Sequence, residues 1–363
     1  MDNHTTTGRD ALDVIVIGAG QAGLATAYHL RTHGLRFLLV DAAEEIGHTW
    51  RSRWDSLRLF TPAQYDSLPG MPFPADANTY PTKDEVAAYL TAYAERFTLP
   101  VLLGCPVGRL EHDGRNFVVH TRQGALAARQ VVVATGPFQT PVIPGVAAGL
   151  DAEVNQLHSA TYRNPRELPP GPVVVVGAGN SGRQIATELA QTHDVTLAVG
   201  TKPLQLPQRL AGRDLFWWLT RLGVINKSAD SPLARRMRQR GDLVIGSSMR
   251  QLRDAGVTAR GRLRSTSGSR VEFADGTIAD ASTVVWATGF RTDYSWIHIP
   301  EALADGQPVH RRGISPAPGL HFVGLPWQHT RGSSLLGFVQ HDASWIADQV
   351  HHAQTHRPTT TPA

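Results

Sequence analysis

Short apolar runs recur along the chain, each followed by a glycine-rich or polar turn. Val14–Ile17, Phe37–Val40, Phe117–Val119, Gln130–Val133, Val173–Val176 and Val195–Val199 are too short for helices. They are also too uniformly apolar for half-exposed strands, so they predict strands buried on both faces of a parallel sheet. Between them the spacing lengthens to a helical period. Leu24–Thr32 is closed by Gly34, and Lys83–Phe97 opens behind Thr82, with Val86, Tyr89, Leu90 and Tyr93 on one face. Helices are likewise predicted over 183–193 and 334–353. Strands are predicted over 257–264, 270–273, 283–286 and Leu320–Gly324. Residues 47–81, rich in Gly, Pro and Trp, read as irregular, and 203–250 resist assignment.

The pattern repeats. GAGQAG at 18–23 and GAGNSG at 177–182 each sit between an apolar strand and a helix. In such a turn the first glycine allows the tight bend. The second lets a pyrophosphate approach the backbone, and the third lets helix and strand pack closely. The helix start then offers free N–H groups to an anion. An ATG segment follows each loop at a similar distance: Ala134-Thr135-Gly136 and Ala287-Thr288-Gly289. Ala134 follows Gly18 by 116 positions and Ala287 follows Gly177 by 110. The chain is therefore an approximate duplication of one dinucleotide-binding plan. The copies differ where the second strand ends. Asp41 suits free ribose hydroxyls and repels a 2′-phosphate, which points the first site to FAD or NAD(H). The second ends on Gly200-Thr201-Lys202, where Thr201 and Lys202 suit a 2′-phosphate and favour NADP(H); Lys202 reads equally as a solvated loop lysine. Arg209, Arg213 and the arginines of 235–240 are further cations in reach of that choice. Two nucleotide sites in one chain imply electron transfer from a visiting nicotinamide to a resident flavin.

Composition narrows the class further. With 363 residues, 41% of them hydrophobic, the chain can bury two modest domains. A net charge of +4 fits anionic ligands and gives a nucleic-acid role only the arginine cluster. Cys105 is the sole cysteine, which rules out an internal disulfide or a redox-active dithiol. The polar start, without a secretory layout, and the lack of a membrane-length apolar run predict a cytoplasmic protein with no membrane role. Sixteen histidines show no metal-binding spacing, so no metal is expected.

Taken in order, these motifs resemble the class B flavoprotein monooxygenases, which include the flavin-containing, YUCCA-like and Baeyer–Villiger enzymes. The resemblance runs over about 12–353. GAGQAG with Asp41 resembles the FAD fingerprint. Gly47-His48-Thr49-Trp50 followed by Arg51 resembles the loop along the flavin nucleotide. Leu59-Phe60-Thr61-Pro62 sits where the family lines the isoalloxazine. His158 and Tyr162 match the second half of the FxGxxxHxxxY signature, while Ala152 and Val154 replace its Phe and first Gly. Tyr162, in place of the Baeyer–Villiger Trp, tilts the reading toward the flavin-containing and YUCCA-like branches. Gly200 stands where the family often carries an arginine for the 2′-phosphate.

The resemblance implies an α/β fold of two Rossmann-like dinucleotide-binding domains, the nicotinamide domain inserted in a discontinuous FAD domain. Residues 1–166 and 283–363 form the FAD domain and 167–282 the NAD(P)H domain. FAD is expected on Gly18, Gly20, Gln21, Ala22, Gly23, Asp41, Thr49, Trp50, Arg51, Ala134, Thr135, Gly136, Ser333 and Leu335. NADPH, with NADH not excluded, is expected on Gly177, Gly179, Asn180, Ser181, Gly182, Thr201, Lys202, Ala287, Thr288 and Gly289. Phe60, Thr61, Trp327 and Gln328 face the flavin, and His158 and Tyr162 brace the domain junction. No side-chain nucleophile is implied, because the chemistry belongs to a flavin that is reduced by NADPH and takes O2 to a C4a-(hydro)peroxyflavin. The partners implied are a small organic substrate and O2, with the protein a monomer or homodimer. N-, S- and carbon-centre oxygenation all remain open. The alternative is an FAD-dependent oxidoreductase that passes electrons to another acceptor without oxygenation.

Overall fold

The computed structural model describes residues 11–201, 204–239 and 243–355. The first sheet is built on β1 (Leu12–Ile17), with β2 (Phe37–Val40) on one side and β6 (Gly124–Val133) on the other, all parallel. β3 (Val101–Leu102) extends one edge. β4 (Val107–His112) and β5 (Phe117–Thr121) extend the other as an antiparallel ribbon. Leu320–Phe322 returns from the far end of the chain and pairs parallel with β6. Alternation along β1 divides the core. Val14 and Val16 face one apolar layer, and Ile15 and Ile17 the other. The first layer is filled by α1 (Gln21–Thr32), by α2 (Lys83–Arg96) and by the C-terminal helix Gln340–Thr355. Thr82 and Glu85 close a reciprocal capping box at the start of α2, which fixes that boundary where the sequence predicts it.

The second sheet is wholly parallel. Its order is β10 (Thr258–Arg260), β9 (Val195–Ala198), β8 (Val173–Val176), β11 (Thr283–Trp286) and β7 (Asn155–His158). α3 (Asn180–Leu189) follows β8. The second sheet takes strands from both sides of the expected insertion. Residues 155–158 and 283–286, assigned from sequence to the first domain, belong to the second sheet. Val284, Val285 and Trp286 are fully buried in the two apolar clusters around β8. The fold is thus α/β, with one Rossmann-like unit inserted into another.

Helix starts also differ from the sequence reading. α1 and α3 begin inside the glycine loops, at Gln21 and Asn180, and not after them. The last helix begins at Gln340, later than the predicted 334. There Gly337 lies against the Tyr65 carbonyl so closely that a Cβ would stand 2.1 Å from the oxygen. That contact admits no side chain at 337.

The two crossings between the units are paired with each other. Thr140–Pro141, on the way out, forms an antiparallel bridge with Phe290–Arg291, on the way back. Trp54, from the first unit, is buried in the core of the second, and the Asp55 amide donates to the Arg163 carbonyl at 2.8 Å. The segment that sequence left unassigned forms a small subdomain. Gln205–Leu206 pairs with Val244–Ile245, and helix Leu215–Arg221 lies between them in sequence. Its apolar cluster packs on Phe60, Tyr65, Leu335 and Phe338 of the first unit. Among the described residues no helix is long and apolar enough to cross a membrane.

The glycine loops make unequal demands on their three positions. A Cβ at Gly182 would stand 1.9 Å from the Gly177 carbonyl oxygen, whereas one at Gly179 meets nothing within 4 Å. Gly182→Ala is expected to cost about 2–3 kcal/mol in urea unfolding. Gly179→Ala should stay within about 1 kcal/mol of the parent. Equal effects would show that helix–strand contact does not set the loop.

Candidate functional site

The two loops superimpose in their local chemistry. Gly18 (φ +108°) and Gly177 (φ +112°) take conformations that a side chain would strain. A Cβ on either would lie against the ATG backbone, 2.5 Å from the Ala134 oxygen in one copy and 2.3 Å from the Ala287 oxygen in the other. Thus the similar ATG spacings have a physical cause: each ATG ends the strand beside its own glycine loop, β6 beside β1 and β11 beside β8. Gly20 and Gly179 are the N-caps of α1 and α3, and neither helix has a side-chain cap. No atom lies within 4 Å of where their Cβ atoms would be. Open space in front of uncapped N–H groups is what a pyrophosphate requires, so both loops fit the group.

The strand ends differ. The Asp41 carboxylate folds back on the first loop, accepting from the Ala19 amide at 2.6 Å and the Ala43 amide at 2.8 Å. In the second unit no acid follows β9, and Lys202 lies outside the described residues. Among the described residues Arg262 reaches this strand end, its Nη2 donating to the Gly200 carbonyl at 3.4 Å. Sequence reading missed it, because it arrives through the parallel pairing of β9 with β10, far along the chain. Arg209 and Arg213 sit on a hairpin near the first unit, where Arg213 covers the Trp217 ring at 5.3 Å.

Thr49, Trp50 and Arg51 lie on a one-turn helix behind Gly47, whose Cα packs on the α2 backbone. Arg51 Nε faces Glu45 at 3.3 Å, while its Nη1 is buried without a partner. Gln21, at the start of α1, donates to the Ser334 carbonyl at 3.0 Å. Ser333 is fully buried, and its hydroxyl accepts from the His329 and Thr330 amides at 3.1 and 3.0 Å. The 331–335 turn is therefore seated on the first glycine loop. Leu335 and Phe60 meet in one cluster, where the Phe60 ring is parallel to Phe216 at 6.0 Å. Gln208 Nε2 donates to the Phe60 carbonyl at 2.8 Å and to Asp214 at 2.9 Å. Trp327, with φ +59°, stands under Arg331, and Gln328 is buried with Nε2 unpartnered. Buried Thr61 donates to Asp66 at 2.6 Å. Asp66 is wholly buried, its second oxygen has no partner, and desolvation pushes its pKa up to about 7 against the opposing Thr61 hydrogen bond. Neither Asp66 nor Gln208 had a signal in the sequence.

His158 and Tyr162 do not share a helix: one ends β7 and the other comes just after the turn that follows it. His158 Nε2 donates to the Gly289 carbonyl at 3.0 Å, and its Nδ1 accepts from the Ala160 amide at 3.1 Å. Burial, with Arg53 nearby, lowers the imidazole pKa and keeps the ring neutral. Tyr162, fully buried, donates to Glu188 on α3 at 2.9 Å. Both hydrogen bonds stay within the second unit and its exit strand. Contacts across the junction include Trp54, which shares a buried cluster with Tyr162, the Asp55–Arg163 hydrogen bond, and Arg53, over the Phe138 and Phe290 rings at 5.0 and 4.9 Å; His158 packs edge-on against the same Phe290 at 5.0 Å.

Residues 15–211 match the family model described as pyridine nucleotide-disulphide oxidoreductase. The chain is 45% identical over 341 residues to an uncharacterized CzcO-like oxidoreductase of Geobacillus kaustophilus, covering 93% of this chain and 98% of the relative. It is 26% identical to the indole-3-pyruvate monooxygenase YUCCA4 of Oryza sativa subsp. japonica, over 90% of this chain and 85% of that one. A flavin-containing monooxygenase from Stenotrophomonas maltophilia superimposes with a TM-score of 0.77 at 32% identity, over 95% of this chain and 99% of that chain. The lone cysteine, Cys105, is buried, so this chain has no dithiol for disulphide chemistry. By these matches the chain belongs to the pyridine nucleotide-disulphide oxidoreductases and, within them, to the class B flavoprotein monooxygenases, enzymes that use FAD and NADPH.

Proposed function

We propose that the first glycine loop holds FAD, that the second receives NADPH, and that the enzyme oxygenates a small organic substrate with O2. The observation that carries the division is the pair of like loops with unlike strand ends. Asp41 stands over the first loop, and the second offers Gly200-Thr201 beside Arg262. A carboxylate favours free ribose hydroxyls, and a guanidinium with a hydroxyl favours a 2′-phosphate. Bound FAD supplies the redox chemistry, accepting electrons from the nicotinamide and returning them to O2. The protein's part is binding and shelter. Gln21, Ala22, Gly23, Thr49, Trp50, Arg51 and the Ala134–Gly136 turn line the flavin nucleotide. Asn180, Ser181, Gly182 and the Ala287–Gly289 turn border the nicotinamide nucleotide. Phe60, Phe216, Leu335 and Phe338 form an apolar wall that keeps water from the reacting end. A cytoplasmic site of action fits the single, unpaired cysteine.

Electron transfer to a separate acceptor is the competing reading, and oxygen accounting separates the two. With NADPH, O2 and a panel of amines, sulfides, oxo acids and ketones, at least one compound should raise NADPH oxidation while lowering the H2O2 released per NADPH. If every compound leaves H2O2 yield unchanged, and a quinone or ferredoxin drains the electrons, the oxygenase reading fails.

Asp66 gives the flavin-facing loop a pH signature. Its folded pKa near 7 lies above the ordinary 3.8. The folded state therefore holds the extra proton between those values, and stability falls as pH rises through that window, by at most about 1.4 kcal/mol per pH unit. Asp66→Asn should flatten the fall in Tm from pH 5 to pH 8, and the variant should overtake the parent at the alkaline end. Parallel Tm curves would mean that the carboxyl is ionised throughout.

A further inference from the structure

Arg183 follows GAGNSG directly, yet its side chain is turned inward and is 1% exposed. Its Nε donates to the Ala178 carbonyl at 2.8 Å and its Nη1 to the Ser247 carbonyl at 2.5 Å. The Gln205 amide oxygen, oriented to satisfy both groups, accepts from Nη1 at 3.2 Å and Nη2 at 2.9 Å. All these acceptors are neutral. Among the described residues no carboxylate lies within ion-pair distance, and burial alone accounts for the lowering of its pKa. Arginine stays charged under such pressure. A buried cation without a counter-ion is costly, and hydrogen bonds to carbonyls offset only part of that cost.

The position of this charge is informative. The Ala178 carbonyl belongs to the peptide whose N–H is that of Gly179, the open position of the second loop. A cation on the carbonyl end polarises that peptide and strengthens the N–H as a donor. The field of the guanidinium adds to that of the uncapped start of α3. The first loop carries Leu24 at the equivalent place, an uncharged side chain.

We propose that Arg183 is an electrostatic positioning residue of the second nucleotide site, a buried cation whose missing counter-charge is the pyrophosphate of the bound dinucleotide. This rests on the reading of GAGNSG as the nicotinamide loop. Arg183 touches the loop backbone and not the ligand, and its action falls on the diphosphate and not on the nicotinamide ring.

Calorimetric titration of the FAD-loaded protein tests this, with NADP+ as one ligand and nicotinamide mononucleotide, which has a single phosphate, as the other. Arg183→Gln should raise the Kd for NADP+ about 10-fold and that for the mononucleotide by no more than about 3-fold. Arg183→Lys keeps the charge while losing the three-way hydrogen bonding, and should stay within about 3-fold of the parent for both. If Arg183→Gln does not retain FAD, the lysine variant decides alone. A 10-fold loss in Arg183→Lys, or an equal loss of both ligands in Arg183→Gln, would make the role structural and overturn the proposal. So would an unchanged Kd in Arg183→Gln. Failure of the parent protein to bind NADP+ would instead sink the assignment of the loop itself.

Discussion

Everything in this molecule depends on a contact that admits no side chain. In each unit the third glycine of the loop lies so close to the carbonyl of the first that a Cβ would stand 1.9 Å from the oxygen. That approach pulls the helix start onto the end of the strand, and the uncapped N–H groups are left facing open space. The first glycine in turn backs onto the ATG peptide of the neighbouring strand. Helix, strand and ATG turn are thereby locked as one piece, twice over. A nucleotide site is the consequence of this packing as much as of any polar residue.

Doubling the piece creates the possibility of a reaction. One copy sits in a sheet completed by the far end of the chain, Leu320–Phe322, and the other is inserted between. The paired crossings at Thr140–Pro141 and Phe290–Arg291 hold the exits of the two ATG turns together. The small subdomain of the second unit then reaches across, through Gln208 and Phe216, to the loop at Phe60. Its apolar cluster thereby lies against Phe60, Tyr65, Leu335 and Phe338 of the first unit.

Local chemistry made much of this legible in the sequence. β-Branched runs marked the central strands. The glycines marked the loops, and Thr82 marked the start of α2. What escaped was set by distant partners. Strands 155–158 and 283–286 look like a linker and a return strand until their pairing with β8 is known. Arg262 reaches Gly200 only through a parallel strand pair, and Asp66 is unusual only because the fold strips water from it. His158 and Tyr162 were expected at the junction from the signature they share with the family, but the residues they meet there, Phe290 and Trp54, carry no mark of it in the sequence. The inward turn of Arg183 depends on carbonyls from 178 and 247, which the sequence does not bring together.

The central claim is that two loops of the same build hold different nucleotides. A reciprocal substitution tests it most directly, since Gly20 and Gly179 both face open space and tolerate a methyl in the folded chain. Purified Gly20→Ala should contain less FAD than the parent. Gly179→Ala should keep its FAD and show a raised Kd for NADPH, measured by titration. Loss of FAD from Gly179→Ala with NADPH affinity intact would reverse the assignment, and loss of both ligands from both variants would dissolve the division altogether.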